Sequence, residues 1–353
     1  MWIAVDAMGG DHAPRAVVRG ACRAAHEDGT GILLVGDQEA IRRELKSGGS
    51  KAAECMRAER IEVVHAPEAV RMDEPAITPI RKKRQSSIRR CAELVRDGRA
   101  QAMVSAGNTG AAMISAKMVV GTVAGVDRPA LAAVLPNGYG RTVLLDVGAN
   151  VDTRPEQLRE FAVMGHFYAQ EVVGTPAPKV GLLSIGEEES KGTDLTREVF
   201  KVLKTTGLNF VGNVEGSDVF NGAVDVIVCD GFVGNAVLKS AESLAQLLGR
   251  MLREELEKGV HTRLGYLMAK PAFDQFRRRT DYREYGAAPL LGVEGGCFIG
   301  HGRSNDRAIL SSIRRAVEFC GANLHHKIRD KIAELHSEEE RLLGSRPLEA
   351  PVS

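Results

Sequence analysis

The sequence predicts an α/β protein built on a mainly parallel β-sheet, and two observations support this prediction. Short apolar runs alternate with segments of helical periodicity along most of the chain, which is typical of repeated βα units. The chain has 353 residues, 44% of them hydrophobic and 26% charged, which is ample material for a large core. A disordered or collagen-like chain is therefore excluded. Length alone allows one or two domains, and we expect a single domain over residues 1–336.

Nine segments have the composition of buried strands, and most end in a glycine-rich or polar loop. They are residues 2–5, 32–35, 61–65, 102–105, 142–145, 180–184, 208–211, 225–229 and 297–299. Helix starts between them are marked by Pro14, Pro155, Thr193 and Ser304, because proline in the first turn and a hydroxyl at the cap favour helix initiation. Residues 337–353 are polar and contain proline, so we expect a flexible tail there.

The overall charge and the cysteines exclude several classes of protein. Lysine plus arginine number 47 against 46 acidic residues, so the net charge of +1 provides no general field for nucleic acid or an anionic membrane. The six cysteines are scattered without a CxxC motif, which indicates a reduced chain without a zinc site. No signal peptide and no stretch apolar enough to span a bilayer are seen. We therefore expect a cytoplasmic protein without a nucleic-acid partner.

Polar loops should hold the functional site, because ligands of parallel sheets bind outside the carboxyl ends of the strands. The segment SAGNTG at residues 105–110 leads from a strand into a helix, where free N–H groups can bind phosphate. An equally good interpretation is a tight turn in which Asn108 or Thr109 caps the helix. Neither a Walker loop nor a GxGxxG fingerprint is present, so nucleotide-binding motifs are not matched.

Carboxylates and cations also follow the predicted strands. The carboxylates could hold a magnesium ion or orient cationic side chains. They could equally cap helices and accept hydrogen bonds within the loops. A cap is favoured for Asp152, and a structural role for His301. The carboxylates are Asp6, Asp11, Asp146, Asp152 and Asp230, and the nearby cationic or titratable residues are Lys191, Lys239, His301 and Arg303.

Two basic segments stand out. Residues 81–90 read RKKRQSSIRR, with six basic residues and no acid; such runs are usually solvated helix faces, but the density here favours an acidic ligand or partner. Residues 259–285 contain apolar residues at helical spacing next to three consecutive arginines. Such a helix can lie on a membrane surface, whereas the sequence pattern alone slightly favours packing into a core or dimer interface.

The loop motifs, taken together and in order, resemble the bacterial phosphate acyltransferases of phospholipid synthesis. They are DAMGGDHAP (6–14), KKRQSS (82–87), SAGNTGA (105–111), LLDVGANVD (144–152), GEEESKGTDL (186–195), GNVEG (212–216), CDGFVGN (229–235) and GAAPLLGVEGGCFIGHGRS (286–304). Each motif is weak by itself, but so many ordered matches make chance similarity improbable. One small departure is Gly286-Ala-Ala in place of Gly-Gly-Ala.

The resemblance implies an activity, a fold and partners. Such enzymes convert acyl-[acyl carrier protein] and inorganic phosphate to acyl phosphate, which a glycerol-phosphate acyltransferase then uses. Their three-layer α/β/α fold is similar to those of isocitrate and isopropylmalate dehydrogenases and phosphotransacetylases. The resemblance further implies a homodimer and a protruding helical hairpin, about residues 252–285, that touches the membrane transiently. No cofactor and no metal are expected.

The loops and the resemblance together give hypotheses for individual residues. Catalytic roles are expected for Asn108, Lys191, Asp230 and Asn235, with N–H groups of residues 231–235 stabilising an oxyanion. Phosphate binding is expected from Lys82, Lys83, Ser105, Gly107, Asn108, Thr109 and Arg303. Carrier-protein docking is expected from Arg81, Arg84, Arg89, Arg90, Arg277, Arg278 and Arg279, because carrier proteins are acidic. Membrane contact is expected from Leu264, Leu267, Met268, Phe273 and Phe276.

Three other functions compete with this interpretation. A phosphotransacetylase would use acyl-coenzyme A in place of the carrier protein. A hydride-transfer dehydrogenase on the same fold is disfavoured, because no dinucleotide fingerprint occurs. A non-catalytic membrane-surface scaffold would use the hairpin to recruit lipid enzymes.

Overall fold

A single sheet organises the protein in the computed structural model. The structure describes residues 1–280, 286–322 and 324–344, with the backbone alone at residues 50, 51, 260, 263, 274, 276–280 and 339–344. Eleven strands within these residues follow the order β3-β2-β1-β4-β11-β10-β5-β6-β9-β7-β8. Their bounds are β1 Trp2–Asp6, β2 Gly31–Gly36, β3 Ile61–His65, β4 Ala102–Ser105, β5 Ala130–Pro136, β6 Arg141–Leu145, β7 Val180–Leu183, β8 Phe210–Val214, β9 Val226–Val228, β10 Ala287–Leu291 and β11 Gly296–Gly300.

The sheet consists of two parallel groups that run in opposite directions. Strands β3, β2, β1, β4 and β11 are mutually parallel, and so are β6, β9, β7 and β8. Antiparallel pairing of β11 with β10, of β10 with β5 and of β5 with β6 reverses the direction between the groups. The mainly parallel sheet is confirmed. The carboxyl ends of the two groups, however, lie at opposite edges of the sheet.

Strands β5 and β10 were absent from the sequence prediction. Strand β5 contains three alanines, which have low strand propensity, and β10 contains Pro289, which weakens a strand assignment. Both strands lie in the middle of the sheet, at the join between the two parallel groups. Tertiary packing therefore decided their conformation.

Helices cover both faces of the sheet and give the three-layer α/β/α arrangement. One apolar cluster joins the sheet to α1, α2, α3, α7, α8, α12 and α13, and the other joins it to α5, α6, α9 and the start of α10. The helices are α1 Arg15–Glu27, α2 Gln38–Ser47, α3 Gly49–Arg57, α4 Thr78–Arg81, α5 Ser87–Arg96, α6 Thr109–Ser115, α7 Pro155–Tyr168, α8 Asp194–Leu203, α9 Asp218–Asn221, α10 Gly231–Glu257, α11 Val260–Thr280, α12 Asp306–Gly321 and α13 Leu324–Gly344. Helices α6 and α7 each continue into a π-helical turn, Ala116–Val120 and Ala169–Val173.

Helices α10 and α11 form a helical hairpin. Helix α10 has 27 residues and packs Val237 and Leu238 against the sheet, but residues 243–255 are exposed. The hairpin predicted at about residues 252–285 thus has a first helix that begins much earlier, at Gly231; residues 281–285 lie outside the described residues. No helix among the described residues is long and apolar enough to span a membrane.

Helix α13 packs on the domain up to Leu335 and continues as a helix past residue 336, where we predicted the domain to end. Its buried residues Ile328, Ile332 and Leu335 join the apolar cluster to which α7 also belongs. The helix continues to Gly344, into the segment that the sequence predicts as a flexible tail. Residues 345–353, the rest of that predicted tail, lie outside the described residues.

Candidate active site

The buried carboxylate of Asp6 organises the edge where β1, β4 and β11 end. Ser105 Oγ donates a hydrogen bond to Asp6 Oδ2 at 2.7 Å, and the Gly107 N–H donates to Ser105 Oγ at 3.1 Å. Burial raises the pKa of Asp6, although hydrogen bonds from Ser87, Ser105 and Met8 oppose the shift. Asp6 therefore holds the loops of this edge together, and Ser105 has its hydroxyl engaged in that network.

Asn108 acts as a structural cap. Its Oδ1 accepts the Ala111 N–H at 2.9 Å at the start of α6, as in the helix-capping interpretation. Its Nδ2 lies 2.9–3.2 Å from the carbonyl oxygens of Arg71, Met72 and Glu74. The amide side chain is thus committed to protein contacts at both ends. Thr109, the next residue, is exposed.

Most basic side chains of residues 81–90 have partners within the chain. Lys83 Nζ lies 2.8 Å from Glu74 Oε1 and 2.7 Å from the Ala69 carbonyl oxygen, so this lysine fastens a loop. Arg89 and Arg90 both pair with Glu93, while Arg84 donates to the Ile80 carbonyl. Arg81, Lys82 and Arg84 are exposed, as is Arg303 on the loop after β11. The side chains of Arg277, Arg278 and Arg279 lie outside the described residues.

The other predicted residues lie at the opposite edge, because β7 and β9 run against β4. Asp230 caps α10 by accepting the N–H groups of Phe232 and Val233, both at 2.9 Å. Lys191 is exposed on the loop after β7. Lys191 and Asp230 thus follow strands that end at the edge opposite to the loop of residues 105–109. The sequence did not reveal the reversal at β5 and β10, so it did not indicate that these strand ends lie at two different edges.

Asp146 is likewise a structural carboxylate. It accepts hydrogen bonds from the N–H groups of Leu131, Gly148, Ala149 and Asn150 at 2.7–3.1 Å. Burial raises its pKa, and these hydrogen bonds act in the opposite direction. Among the residues that the structure describes, no group of His, Cys, Asp and Glu side chains is arranged to hold a metal ion.

A cleft of about 230 Å³ lies beside the middle of the sheet, with helix α10 on one side and Tyr168, Val172, Val173 and Arg315 on the other, and we call it the α10 cleft. Asn235 is at one end beside Gly148, and Glu242 and His301 are at the other. Asn235 and Glu242 are about 10 Å apart along the helix axis, given the rise per residue. The main lining residues are Thr109, Leu131, Ala133, Leu135, Val147, Gly148, Asn235, Leu238, Lys239, Glu242, Ala287, Ala288, Ile299 and His301. Thr109 and Asn235 are thus the predicted site residues that the cleft brings together.

A cluster of charged side chains closes one end of the cleft. Glu242 Oε1 lies 3.1 Å from His301 Nε2, and Glu242 Oε2 lies 2.9 Å from Lys239 Nζ. Burial raises the pKa of Glu242, but the bonds to His301 and Lys239 outweigh it and leave the pKa below its ordinary value. Sequence reasoning named His301 and Lys239 only as general candidates and missed Glu242. The spacing of Lys239 and Glu242 on one helix was the available signal.

Comparison with known proteins identifies the family. A model of the family described as "Fatty acid synthesis protein" matches residues 1–327. The chain belongs to this fatty acid synthesis protein family. Curated family relatives named "Phosphate acyltransferase" include one from Pelotomaculum thermopropionicum, 51% identical over 94% of this chain and 95% of its own length. Another, from Acidobacterium capsulatum, is 49% identical over 94% of this chain and 97% of its own length. The resemblance seen in the loop motifs is confirmed.

Solved structures confirm the fold class of this fatty acid synthesis family member. A phosphotransacetylase from Streptococcus pyogenes superposes with a TM-score of 0.61 at 17% identity, covering 91% of this chain and 94% of its own. A 4-hydroxythreonine-4-phosphate dehydrogenase from Klebsiella pneumoniae gives a TM-score of 0.51 at 14% identity, covering 91% and 99%. At such identities the likeness concerns the fold alone.

Proposed function

We propose that this protein transfers a fatty acyl group from acyl-[acyl carrier protein] to inorganic phosphate and so makes acyl phosphate for phospholipid synthesis. The observation that carries the proposal is the close relation to proteins named phosphate acyltransferase, at 51% identity over nearly the full length of both chains. The α10 cleft supports it, because an apolar cleft with polar residues at its ends suits a ligand that is part lipid and part polar.

The chemistry requires positioning more than activation. A phosphate oxygen attacks the thioester carbonyl carbon, the carbon–sulfur bond breaks, and the carrier thiolate leaves with the electron pair and takes a proton from water. A thiol has a pKa of about 8.5, so it departs without strong acid assistance. Holding phosphate beside the thioester gains an effective-molarity advantage of up to about 7–11 kcal/mol.

The polar residues of the α10 cleft supply the groups that such a reaction needs. Lys239 and His301 are the basic residues at one end, beside the exposed Thr109 at the start of α6. Asn235 lies one turn before Lys239 on the same face of α10, so its exposed amide is the proposed donor to the developing oxyanion beside the phosphate, an interaction typically worth about 3–4 kcal/mol. Lys82 and Arg303 remain proposed phosphate partners, and Lys191, on the loop after β7, keeps a proposed catalytic role. Ser105, Gly107 and Asn108 support the loop that presents Thr109.

The test is incubation of acyl-[acyl carrier protein] with labelled phosphate, in parallel with acyl-coenzyme A. Labelled acyl phosphate from the carrier-protein thioester supports the proposal, whereas product from the coenzyme A thioester alone would favour a phosphotransacetylase. Lys239→Ala should raise the phosphate KM, and Lys201→Ala, an exposed lysine on α8, is the matched control. Vesicle binding without any acyl phosphate would favour the scaffold.

The outer parts of the hairpin support a proposed dimer and a proposed membrane contact. On α10, the exposed apolar residues recur at helical spacing and form one stripe, which suits a second copy of the chain. This stripe comprises Leu244, Leu247, Leu248, Met251 and Leu252.

On α11, Leu264, Leu267 and Met268 are 60%, 64% and 81% exposed, which suits transient contact with a cytoplasmic membrane surface. Phe273 instead contacts the Tyr266 ring at a tilted angle of 53°, and the Phe276 side chain lies outside the described residues.

The acidic carrier protein is proposed to dock on the exposed part of the basic run. Arg81, Lys82 and Arg84 are exposed and lie next to α4 and α5, whereas Arg89 and Arg90 are held by Glu93. Docking through exposed charges should weaken steeply as salt is raised. The acyl phosphate product is proposed to pass to a glycerol-phosphate acyltransferase.

A further inference from the structure

Residues in the centre of the sheet are less buried than their position requires. Strands covered by helices on both faces normally bury every side chain. Val134 on β5 and Ala287 and Ala288 on β10 are nevertheless only half-buried, although β5 and β10 are inner strands. All three residues line the α10 cleft, Ala288 from the face that α10 covers and Val134 and Ala287 from the opposite face. Open space therefore exists beside the middle of the sheet.

The pairing of β5 with β10 explains where this space opens. The two strands pair through Leu290 with Leu131 and Leu291 with Ala130. The next residue of β10 is Pro289, which has no N–H to contribute to the ladder. Continuing the same register places Ala288 opposite Ala133. Both residues have only a methyl side chain, and larger side chains at these positions would fill the cleft.

The surroundings of these two alanines are apolar. Leu131 and Leu135 flank Ala133 on the same face of β5, and Ile299 and Leu238 complete the walls from β11 and α10. Among the polar lining residues, Glu242 and His301 stand at one end and Asn235 at the other, and Arg141 and Arg315 also belong to the lining. A ligand that matches this pattern has a hydrocarbon tail with a polar group at its end.

We propose, on the basis of the proposed function, that the fatty acyl chain of the substrate lies on the floor formed by Ala133 and Ala288. The thioester then lies beside Asn235 and Lys239 of α10, within reach of the phosphate proposed to bind at Lys239. The small size of Ala133 and Ala288 determines which acyl chains are accepted. A larger side chain at either position takes up the volume that the methylene groups of a long chain occupy.

The experiment compares palmitoyl- and butyryl-[acyl carrier protein] as substrates of the full-length protein. Ala288→Leu and Ala133→Leu should each lower kcat/KM for the palmitoyl substrate relative to the butyryl substrate by about tenfold or more, because misfit of a few methylene groups has effects of this size. Ala236→Leu is the matched control, since Ala236 is exposed on α10 and outside the cleft lining. It should leave the ratio unchanged.

Unchanged ratios in both leucine variants, or equal losses for both substrates in folded variants, would overturn the proposal. If the leucine variants do not fold, Ala288→Val is used. A palmitoyl-to-butyryl ratio of kcat/KM equal to that of wild type then counts against acyl binding at Ala133 and Ala288. Wild-type protein that makes no acyl phosphate from either substrate would instead refute the proposed function. In that case the fluorescence of bound cis-parinaric acid tests whether a fatty chain binds at Ala133 and Ala288. Weaker binding in Ala288→Leu supports the proposal, and binding equal to that of wild type overturns it.

Discussion

The carboxylate of Glu242 on helix α10 lies 3.1 Å from Nε2 of His301, which follows strand β11. The two residues are distant in the sequence, and their contact fixes the middle of α10 against the edge of the sheet where β11 ends. Lys239 shares the same carboxylate at 2.9 Å. The geometry of one end of the α10 cleft therefore depends on a single acidic side chain.

Replacing Glu242 with glutamine should lower the free energy of unfolding by about 1 kcal/mol at neutral pH. The folded-state pKa of Glu242 is lowered, so its stabilisation is present above the unfolded pKa of about 4.3 and is lost as pH falls through the folded value. Urea unfolding of wild type and Glu242→Gln should differ near neutrality and converge in acid. A difference that persists undiminished in acid would contradict this account.

Replacing Asn108 with alanine should destabilise the protein by about 2 kcal/mol, because the substitution removes a helix cap and donors to three carbonyl groups. Asn108→Ser should restore part of this loss, since serine is also a good cap. Thermal unfolding measures both variants. A variant with normal stability and reduced turnover would assign Asn108 a direct catalytic role.

Glu160 on α7 should make the protein less stable as pH rises. It is buried, and its carboxylate accepts the Asp127 N–H at 3.0 Å. Burial raises its pKa to about 7, so the folded state keeps a proton that the unfolded state releases from about pH 4.3 upward. Stability should therefore fall by about 1–3 kcal/mol between about pH 4 and pH 7. Urea unfolding of Glu160→Gln across this range should show a flatter dependence; an identical slope would contradict the assignment.

Met268 should contribute to membrane association. It is 81% exposed on α11, and Met268→Glu places a charge where apolar contact is proposed. Less protein should then sediment with anionic phospholipid vesicles, with unchanged turnover on dissolved substrate. Gln246→Glu adds the same charge to an exposed position of α10 and should sediment like wild type. Equal loss in both variants would point to a general charge effect.

Leu248 should contribute to self-association. It is 56% exposed within the apolar stripe of α10. Because burying a charge in an apolar interface is costly, Leu248→Asp should shift light-scattering mass toward that of a monomer. Lys201→Asp, on α8, is the control. An unchanged mass would place the dimer interface elsewhere or exclude a dimer.

The sequence predicted the fold class, the family and most strands, because buried β-branched runs and helix-start signals are local. It did not predict β5 and β10, since Ala130–Pro136 and Ala287–Leu291 have weak strand propensity and are fixed by their neighbours. Missing these strands concealed the reversal of direction and so misplaced Lys191 relative to residues 105–109. The contact of Glu242 with His301 was equally beyond local reasoning, because it joins segments that only the tertiary fold brings together.

Helix α10 also connects two regions of different character. Its 27 residues span about 40 Å. The first turns line the cleft with Asn235 and Lys239, while the last turns carry the exposed apolar stripe. Because the helix is continuous, a rigid tilt that moves the outer stripe also moves the side chains that line the cleft.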